Sequence, residues 1–135
     1  DTNLTFYGHY NSSDTSRMFS PLALIKDQDS YEKYKSFSIY YEEYCCDYEI
    51  EYVYRFSVKD FDDYNYSQAN FLNADQFAAF MAYPRKHSFI TPCETIEYGD
   101  RFITLQTCVR NRSDLREIVI AKQIDCHPYP EDIAP

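Results

Sequence analysis

Cys108 is placed where a nucleophile would be useful, at the end of a strand-like segment and ahead of Arg110, Arg112 and Arg116. Nearby positive charge lowers the pKa of a thiol, and these arginines form a locally positive segment in a chain of formal net charge −9. Histidine is the usual partner of a reactive thiolate. A cysteine nucleophile is therefore one interpretation, and a half-buried or disulfide-bonded cysteine is the simpler one.

The chain has three histidines, namely His9, His87 and His127. His9 follows Gly8 at the end of a strand-like segment, where the backbone can turn sharply and leave the ring in a cleft. His87 follows a helical segment, and His127 lies in a proline-rich tail, so both are expected to be solvated. This placement favours His9 as the base without excluding the other two.

The cysteine count bears on the same choice. The five cysteines are Cys45, Cys46, Cys93, Cys108 and Cys126, with no CxxC pair among them. An odd number leaves at least one thiol unpaired unless it bridges to another chain. The adjacent pair at 45 and 46 would point to opposite faces of a strand, which argues against tetrahedral metal binding by both.

A second cluster of polar residues is the acidic segment after position 58. Its possible calcium ligands are Asp60, Asp62, Asp63 and Asn65. The segment lacks the glycine and the terminal glutamate of an EF-hand loop, so a solvated acidic turn is the favoured interpretation. No metal and no cofactor are predicted.

Size and charge limit the other possibilities. At 135 residues the chain is expected to form one domain over residues 1–135. Its negative charge opposes nucleic-acid binding, and no apolar run is long enough to span a bilayer. The 15 tyrosines and 10 phenylalanines favour strands.

The elements that would position these residues follow from periodicity and capping signals. Strands are predicted over 3–7, 37–43, 48–58, 101–108 and 116–124, and the second and third should form a hairpin. Helices are predicted over 20–27 with Ser20 as N-cap, over 29–35 with Asp29 or Ser30 as N-cap, and over 73–84 with Asn73 as N-cap. The buried stripe of the last helix would be Phe77, Phe80 and Met81. Residues 125–135 are expected to be an irregular tail, and the whole indicates a mainly β fold with helical inserts.

The strand over 48–58 has the clearest alternation in the chain. One face would carry Tyr48, Ile50, Tyr52, Tyr54, Phe56 and Val58, and the other Glu49, Glu51, Arg55 and Ser57. The sequence thus predicts one apolar face along its whole length.

Several of these segments resemble sortases. "TLQTC" at 104–108 matches the TLxTC signature of that family, "YGHY" at 7–10 is similar to the segment with the catalytic histidine, and "REIVIAKQI" from Arg116 resembles the next strand with its essential arginine. The stretch 18–41 and a helix before the nucleophile strand are similar to class B members. The resemblance covers residues 4–124.

The resemblance implies a sortase-like β-barrel and a cysteine transpeptidase. Cys108 would attack a threonine carbonyl in a cell-wall sorting motif, His9 would transfer protons, and Arg116 would stabilise the oxyanion, with Arg110 and Arg112 as second choices. The expected substrate-binding residues are Thr104, Gln106, Thr107 and Tyr10. Gln106 and Tyr10 stand where class B enzymes commonly have serine and asparagine, so substrate preference is expected to differ.

The resemblance also implies a setting. The partners would be sorting-motif peptides of secreted proteins and an amine on peptidoglycan or a pilin, outside a Gram-positive cell, with the full-length form anchored in the membrane. The N-terminal helices and first strands of such a domain are expected to be absent from this chain.

An alternative from another class is a secreted, disulfide-bonded binding domain without catalysis. It is favoured by four N-x-S/T sequons, at Asn3, Asn11, Asn65 and Asn111. Such sequons also arise by chance in a polar chain, and a glycan at Asn111 would crowd the loop beside Cys108.

Overall fold

The computed structural model describes residues 2–7, 25, 27–57, 68–93, 95–109 and 112–128. The strands are β1 (Asn3–Tyr7), β2 (Ser36–Tyr40), β3 (Tyr44–Ser57), β4 (Phe102–Val109) and β5 (Arg112–Pro128), and the helices are α1 (Gln28–Tyr34) and α2 (Ala74–His87). Neither of these helices is long and apolar enough to cross a bilayer. The fold is mainly β, as predicted.

All five strands belong to one sheet in the order β1-β4-β5-β3-β2. β1 runs parallel to β4, and the other neighbours are antiparallel. The expected hairpin is present as β2 and β3. Over the described residues the sheet stays open, with β1 and β2 at its edges, so it does not close into a barrel there.

The sheet has a hydrophobic cluster on each face. The first contains the buried side chains of Ile25, Tyr31, Cys46, Tyr48, Ile50, Val53, Ile90, Ile103, Leu105, Val119 and Ala121. The second, under α2, contains Tyr52, Tyr54, Phe56, Phe77, Phe80, Met81, Ile96, Phe102, Ile118 and Ile120. Apolar side chains on both faces explain why β4 and β5 contain nearly continuous apolar runs.

The prediction of one apolar face along the third strand is wrong. Ile50 pairs with Ala121 and Tyr52 pairs with the next residue back, Ile120, so Glu51 is an extra residue in β3. Such a bulge shifts the alternation by one position. Tyr48 and Ile50 therefore face the first cluster, whereas Tyr52 and Tyr54 face the second.

The helix predictions are confirmed in part. Asn73 caps α2 by accepting a hydrogen bond from the Gln76 backbone N–H at 2.8 Å, and the predicted stripe of Phe77, Phe80 and Met81 is buried. The cap of α1 is Asp27, which accepts from the Ser30 backbone N–H at 2.9 Å, and not Asp29 or Ser30. Most of the helix predicted over 20–27, including Ser20, lies outside the described residues.

The C-terminal segment differs from the expectation of an irregular tail. β5 continues to Pro128, with Tyr44 opposite Pro128 and Cys46 opposite Cys126. A disulfide joins Cys46 to Cys126. Pairing with β3 and the disulfide therefore keep the chain in a strand as far as residue 128, although the prolines of this segment favour irregular structure.

Candidate active site

The site predicted around Cys108 lies where three neighbouring strands meet. β4 is flanked by β1, which runs parallel to it, and by β5, which runs antiparallel. Because β1 and β4 are parallel, their C-terminal ends lie at the same edge of the sheet, where Tyr7 is paired with Gln106. Cys108 is two residues further along β4, and it pairs directly with Arg116 of β5.

A further irregularity in the sheet begins at this pair. Cys108 is opposite Arg116, but Val109 is opposite Arg112, so the β5 strand contains extra residues between these two pairs. Bulges interrupt regular pairing, and they are over-represented next to active sites. The backbone thus leaves the regular ladder immediately after Cys108.

The side chain of Arg116 is half-buried. One of its terminal nitrogens, Nη1, donates a hydrogen bond to the Leu115 carbonyl at 3.0 Å. On the other edge of β5, Arg116 pairs with Phe56 of β3, so its backbone is held from both sides. A guanidinium on an internal strand is a well-fixed donor, which suits binding of a carbonyl oxygen.

His9 and Tyr10 lie outside the described residues, as does Arg110. Tyr7 is the last residue of β1, and His9 comes two residues after it in the sequence. The roles predicted for His9 and Tyr10 therefore stay predictions. Arg112, the other second choice, lies in β5 opposite Val109.

The two alternative histidines lie at the end of α2 and near the end of β5. His87 is exposed on α2, where its ring lies 4.2 Å from the Tyr83 ring, between centroids. His127 is exposed on β5, and its Nδ1 is 3.5 Å from Oδ2 of Asp125. His127 is eleven positions after Arg116, and since strands rise about 3.3 Å per residue, this corresponds to roughly 35 Å along β5.

Among the predicted substrate-binding residues, Thr104 needs correction. It is fully buried, and its hydroxyl donates to Oδ1 of Asn3 at 2.8 Å. This hydrogen bond joins β4 to β1 inside the sheet, so Thr104 has a structural role and no exposed surface for a substrate. Gln106 is half-buried two residues further along β4, and Thr107 pairs with Glu117.

Glu117 is a residue of this region that the sequence interpretation missed. Its carboxylate is almost completely buried beside Arg116, and Oε1 lies 3.5 Å from Nε of Arg55 on β3. Burial raises the pKa of the Glu117 carboxyl, and the Arg55 guanidinium partly offsets that rise. The sequence did contain a signal for this ion pair. Glu117 is an acidic residue directly before the apolar run "IVIA", and a carboxylate in such a buried strand needs a basic partner on a neighbouring strand.

The structure describes the side chains of four of the five cysteines. Cys46 and Cys126 are paired, Cys45 is buried and free, and Cys93 is exposed and free. Nζ of Lys35 lies 2.8 Å from Sγ of Cys93. The sequence did not predict which cysteines pair, because that depends on the register of β3 against β5.

Comparison with known proteins gives results for structure only. The sequence matches no protein-family model, and no curated protein matches it either. Solved structures of class B sortases, in contrast, superpose on most of this chain.

Three similar structures illustrate this. Sortase B of Clostridium perfringens has a TM-score of 0.77 and 25% identity, with 93% of this chain and 67% of that chain covered. Sortase B of the type II pilus of Streptococcus pneumoniae has a TM-score of 0.75 and 26% identity, covering 93% and 69%. Sortase B of Staphylococcus aureus has a TM-score of 0.71 and 27% identity, covering 91% and 56%.

These likenesses show that the chain has a sortase-like fold of the class B type. A mutant form of the Clostridium perfringens enzyme is similar at a TM-score of 0.78, and this chain spans 58% of its length. The resemblance seen in short motifs thus extends to the arrangement of the strands.

Proposed function

We propose that this chain is a cysteine transpeptidase of the sortase type. The observation that carries the proposal is the pairing of Cys108 with Arg116 next to the C-terminal end of β1. That pairing brings together the backbones of the proposed nucleophile and the proposed oxyanion donor, two residues along β4 from the partner of Tyr7, and His9 comes two residues after Tyr7 in the sequence. The class B sortase-like fold supports the same assignment.

The proposed reaction has two halves. The Cys108 thiolate attacks the carbonyl carbon of a threonine in a sorting peptide, and Arg116 stabilises the negative oxygen of the tetrahedral intermediate. The C–N bond then breaks, and His9 gives a proton to the leaving amine. An incoming amine attacks the thioester, His9 accepts its proton, and the C–S bond breaks to release the joined product.

The partners and the setting are part of the same proposal. A substrate complex and a complex with triglycine are known for sortase B structures similar to this chain, and the former is from Staphylococcus aureus. We propose a sorting-motif peptide of a secreted protein as donor and an amine of peptidoglycan or a pilin as acceptor. The Cys46–Cys126 disulfide supports a location outside the cytoplasm, because such bonds persist in oxidising compartments. We propose the outer face of the cell membrane, with the full-length protein anchored there.

The alternative of a secreted binding domain also accommodates this disulfide. One of its supporting signals is weakened by the structure, because Asn3 of the first sequon is only 2% exposed. Its side-chain Nδ2 donates to the Gln68 carbonyl at 2.9 Å, and its Oδ1 accepts from Thr104. A glycan at Asn3 would require this buried contact to open.

The experiment that tests the proposal is trapping of the thioester. The chain is incubated with a quenched fluorescent sorting peptide, with and without triglycine, and mass spectrometry locates any acyl group. We expect an adduct on Cys108 that triglycine releases as a ligated product. Cys108→Ala and His9→Ala should each reduce cleavage by at least about a hundredfold.

The matched controls are Cys93→Ala and His87→Ala, which remove an exposed thiol and an exposed imidazole elsewhere. Both should cleave at the parental rate. Labelling of native thiols gives a second readout, in which Cys108 should react in addition to the exposed Cys93. If Cys108→Ala left both the labelling and the cleavage unchanged, the binding-domain alternative would be favoured.

A further inference from the structure

Three metal-binding side chains converge at the end of β5 that is far from Cys108. They are Asp47 of β3 and Asp125 and His127 of β5, and one ligand atom of each lies within 4.8 Å of the others. Asp47 is half-buried, and the other two are exposed. Asp125 is nine positions after Arg116 on β5, about 30 Å along an extended strand, so this cluster is distinct from the candidate active site.

The register of the strands explains the convergence. Asp47 lies directly opposite Asp125, and His127 is two residues further along the same face of β5. Carboxylates directly opposite each other on neighbouring strands repel and destabilise the pair. Nδ1 of His127 lies 3.5 Å from Oδ2 of Asp125 and adds a nitrogen ligand to the two carboxylates. A bound cation would offset the repulsion between these carboxylates.

The backbone beside the three side chains is constrained, and one of the side chains has a further hydrogen bond. The Cys46–Cys126 disulfide joins the two strands between these ligands, because its cysteines are the sequence neighbours of Asp47, Asp125 and His127. On the other side of β3, the Ser38 hydroxyl donates to Oδ1 of Asp47 at 2.6 Å. Ligands that are held in place before binding lose less freedom when an ion arrives.

We propose that Asp47, Asp125 and His127 form a binding site for a divalent first-row transition ion of the zinc class. An imidazole beside two carboxylates favours such ions over calcium or magnesium, which prefer oxygen ligands alone. Three protein ligands leave the remaining coordination positions to water. The ion would hold the end of β5 on β3 beside the disulfide, and it takes no part in the transpeptidation proposed above.

The test is calorimetric titration of the 135-residue chain with Zn²⁺. A Cys93→Ala, Cys108→Ala background removes the exposed free thiol and the proposed nucleophile, since thiolates also bind zinc. We expect one ion per chain, bound more tightly than Ca²⁺. His127→Ala and Asp125→Asn should each weaken binding by at least about tenfold.

The matched controls are His87→Ala and Asp75→Asn, an exposed histidine and an exposed aspartate on α2, and both should bind as the background does. Amide spectra of each variant report whether it is folded, and line broadening by Mn²⁺ should be confined to residues near positions 45–47 and 125–127. Three results would each overturn the proposal: no zinc binding in the background without Cys93 and Cys108, equal binding by folded His127→Ala, or tighter binding of Ca²⁺ than of Zn²⁺.

Discussion

The two ends of β5 are attached to their neighbours in different ways. Near Pro128 the Cys46–Cys126 disulfide joins the strand to β3, next to a register shift at which Asp47 is opposite Asp125 and Tyr48 is opposite Gln123. Near Arg112 the strand departs from regular pairing with β4, immediately after the Cys108–Arg116 pair. The covalent attachment thus lies about 30 Å along β5 from the proposed chemistry, which lies beside the irregular pairing with β4.

The middle of the strand connects these two ends. Residues Ile118 to Ala121 are almost completely buried between the two hydrophobic clusters. Burial of Ile118, Val119 and Ile120 offsets the ladder bonds that are lost after the Cys108–Arg116 pair, because each of these side chains contributes roughly 1.5–3 kcal/mol when it is buried. Stability and reactivity can therefore be changed separately at the two ends.

The largest effect is expected from breaking the attached end. The double variant Cys46→Ala, Cys126→Ala should lower the free energy of unfolding by about 4 kcal/mol, because the bond closes a large loop, with a sequence separation of 80. Denaturant unfolding measures the loss. Cys93→Ala is the control, and the double variant should still cleave peptide below its melting temperature. Equal stability of parent and double variant would contradict the structural role given to this end.

The next effect concerns the irregular end. Arg116→Lys should lower kcat for peptide cleavage by about a hundredfold while the free energy of unfolding stays close to that of the parent, because the ammonium cannot reproduce the planar donor. Steady-state kinetics and denaturant unfolding measure the two quantities. Arg101→Lys, at an exposed position before β4, is the matched control. An unchanged kcat in Arg116→Lys would remove Arg116 from the proposed mechanism.

A smaller effect is expected where β1 joins β4. Thr104→Val removes the donor to Oδ1 of the buried Asn3 and should lower the free energy of unfolding by about 2 kcal/mol. Because β1 leads to His9, cleavage should also fall. Thr91→Val, at an exposed position, is the control in the same unfolding and cleavage assays. A direct substrate role for Thr104 would instead raise KM with no loss of stability.

The smallest effect is a pH dependence set by Glu117. Burial raises its pKa above the ordinary value of 4.5, so the folded chain keeps this proton to higher pH than the unfolded chain does. This group therefore contributes stability at low pH that is lost as pH rises from about 4.5 through the folded pKa. Glu117→Gln should flatten that part of the stability curve, measured by unfolding at a series of pH values. Glu42→Gln, at an exposed site, should leave the curve unchanged.

Local signals in the sequence predicted much of this fold. The apolar and β-branched runs located the strands, and Asn73 with Gln76 located the start of α2, because these signals depend on neighbouring residues only. The TLQTC segment likewise led to Cys108 and Arg116, whose backbones the structure places opposite each other.

Features that depend on the pairing of distant strands were not predicted. The bulge at Glu51, the disulfide partner of Cys46 and the ion pair of Glu117 with Arg55 all follow from the register of β3 against β5. Register is set by tertiary packing, so no window along the chain contains that information. The tail over 125–135 was predicted to be irregular because of its prolines. The pairing of its first four residues with β3 also depends on a distant strand, so neighbouring residues gave no sign of it.

The extra residue at Glu51 means that β3 contains one residue more than a regular ladder with β5 needs. Deleting Glu51 would place Tyr52 directly after Ile50 and still opposite Ile120, so Tyr52, Tyr54 and Phe56 would keep facing α2 while the bulge disappears. In a library of single-residue changes, this position should therefore tolerate deletion better than the regularly paired positions of β3.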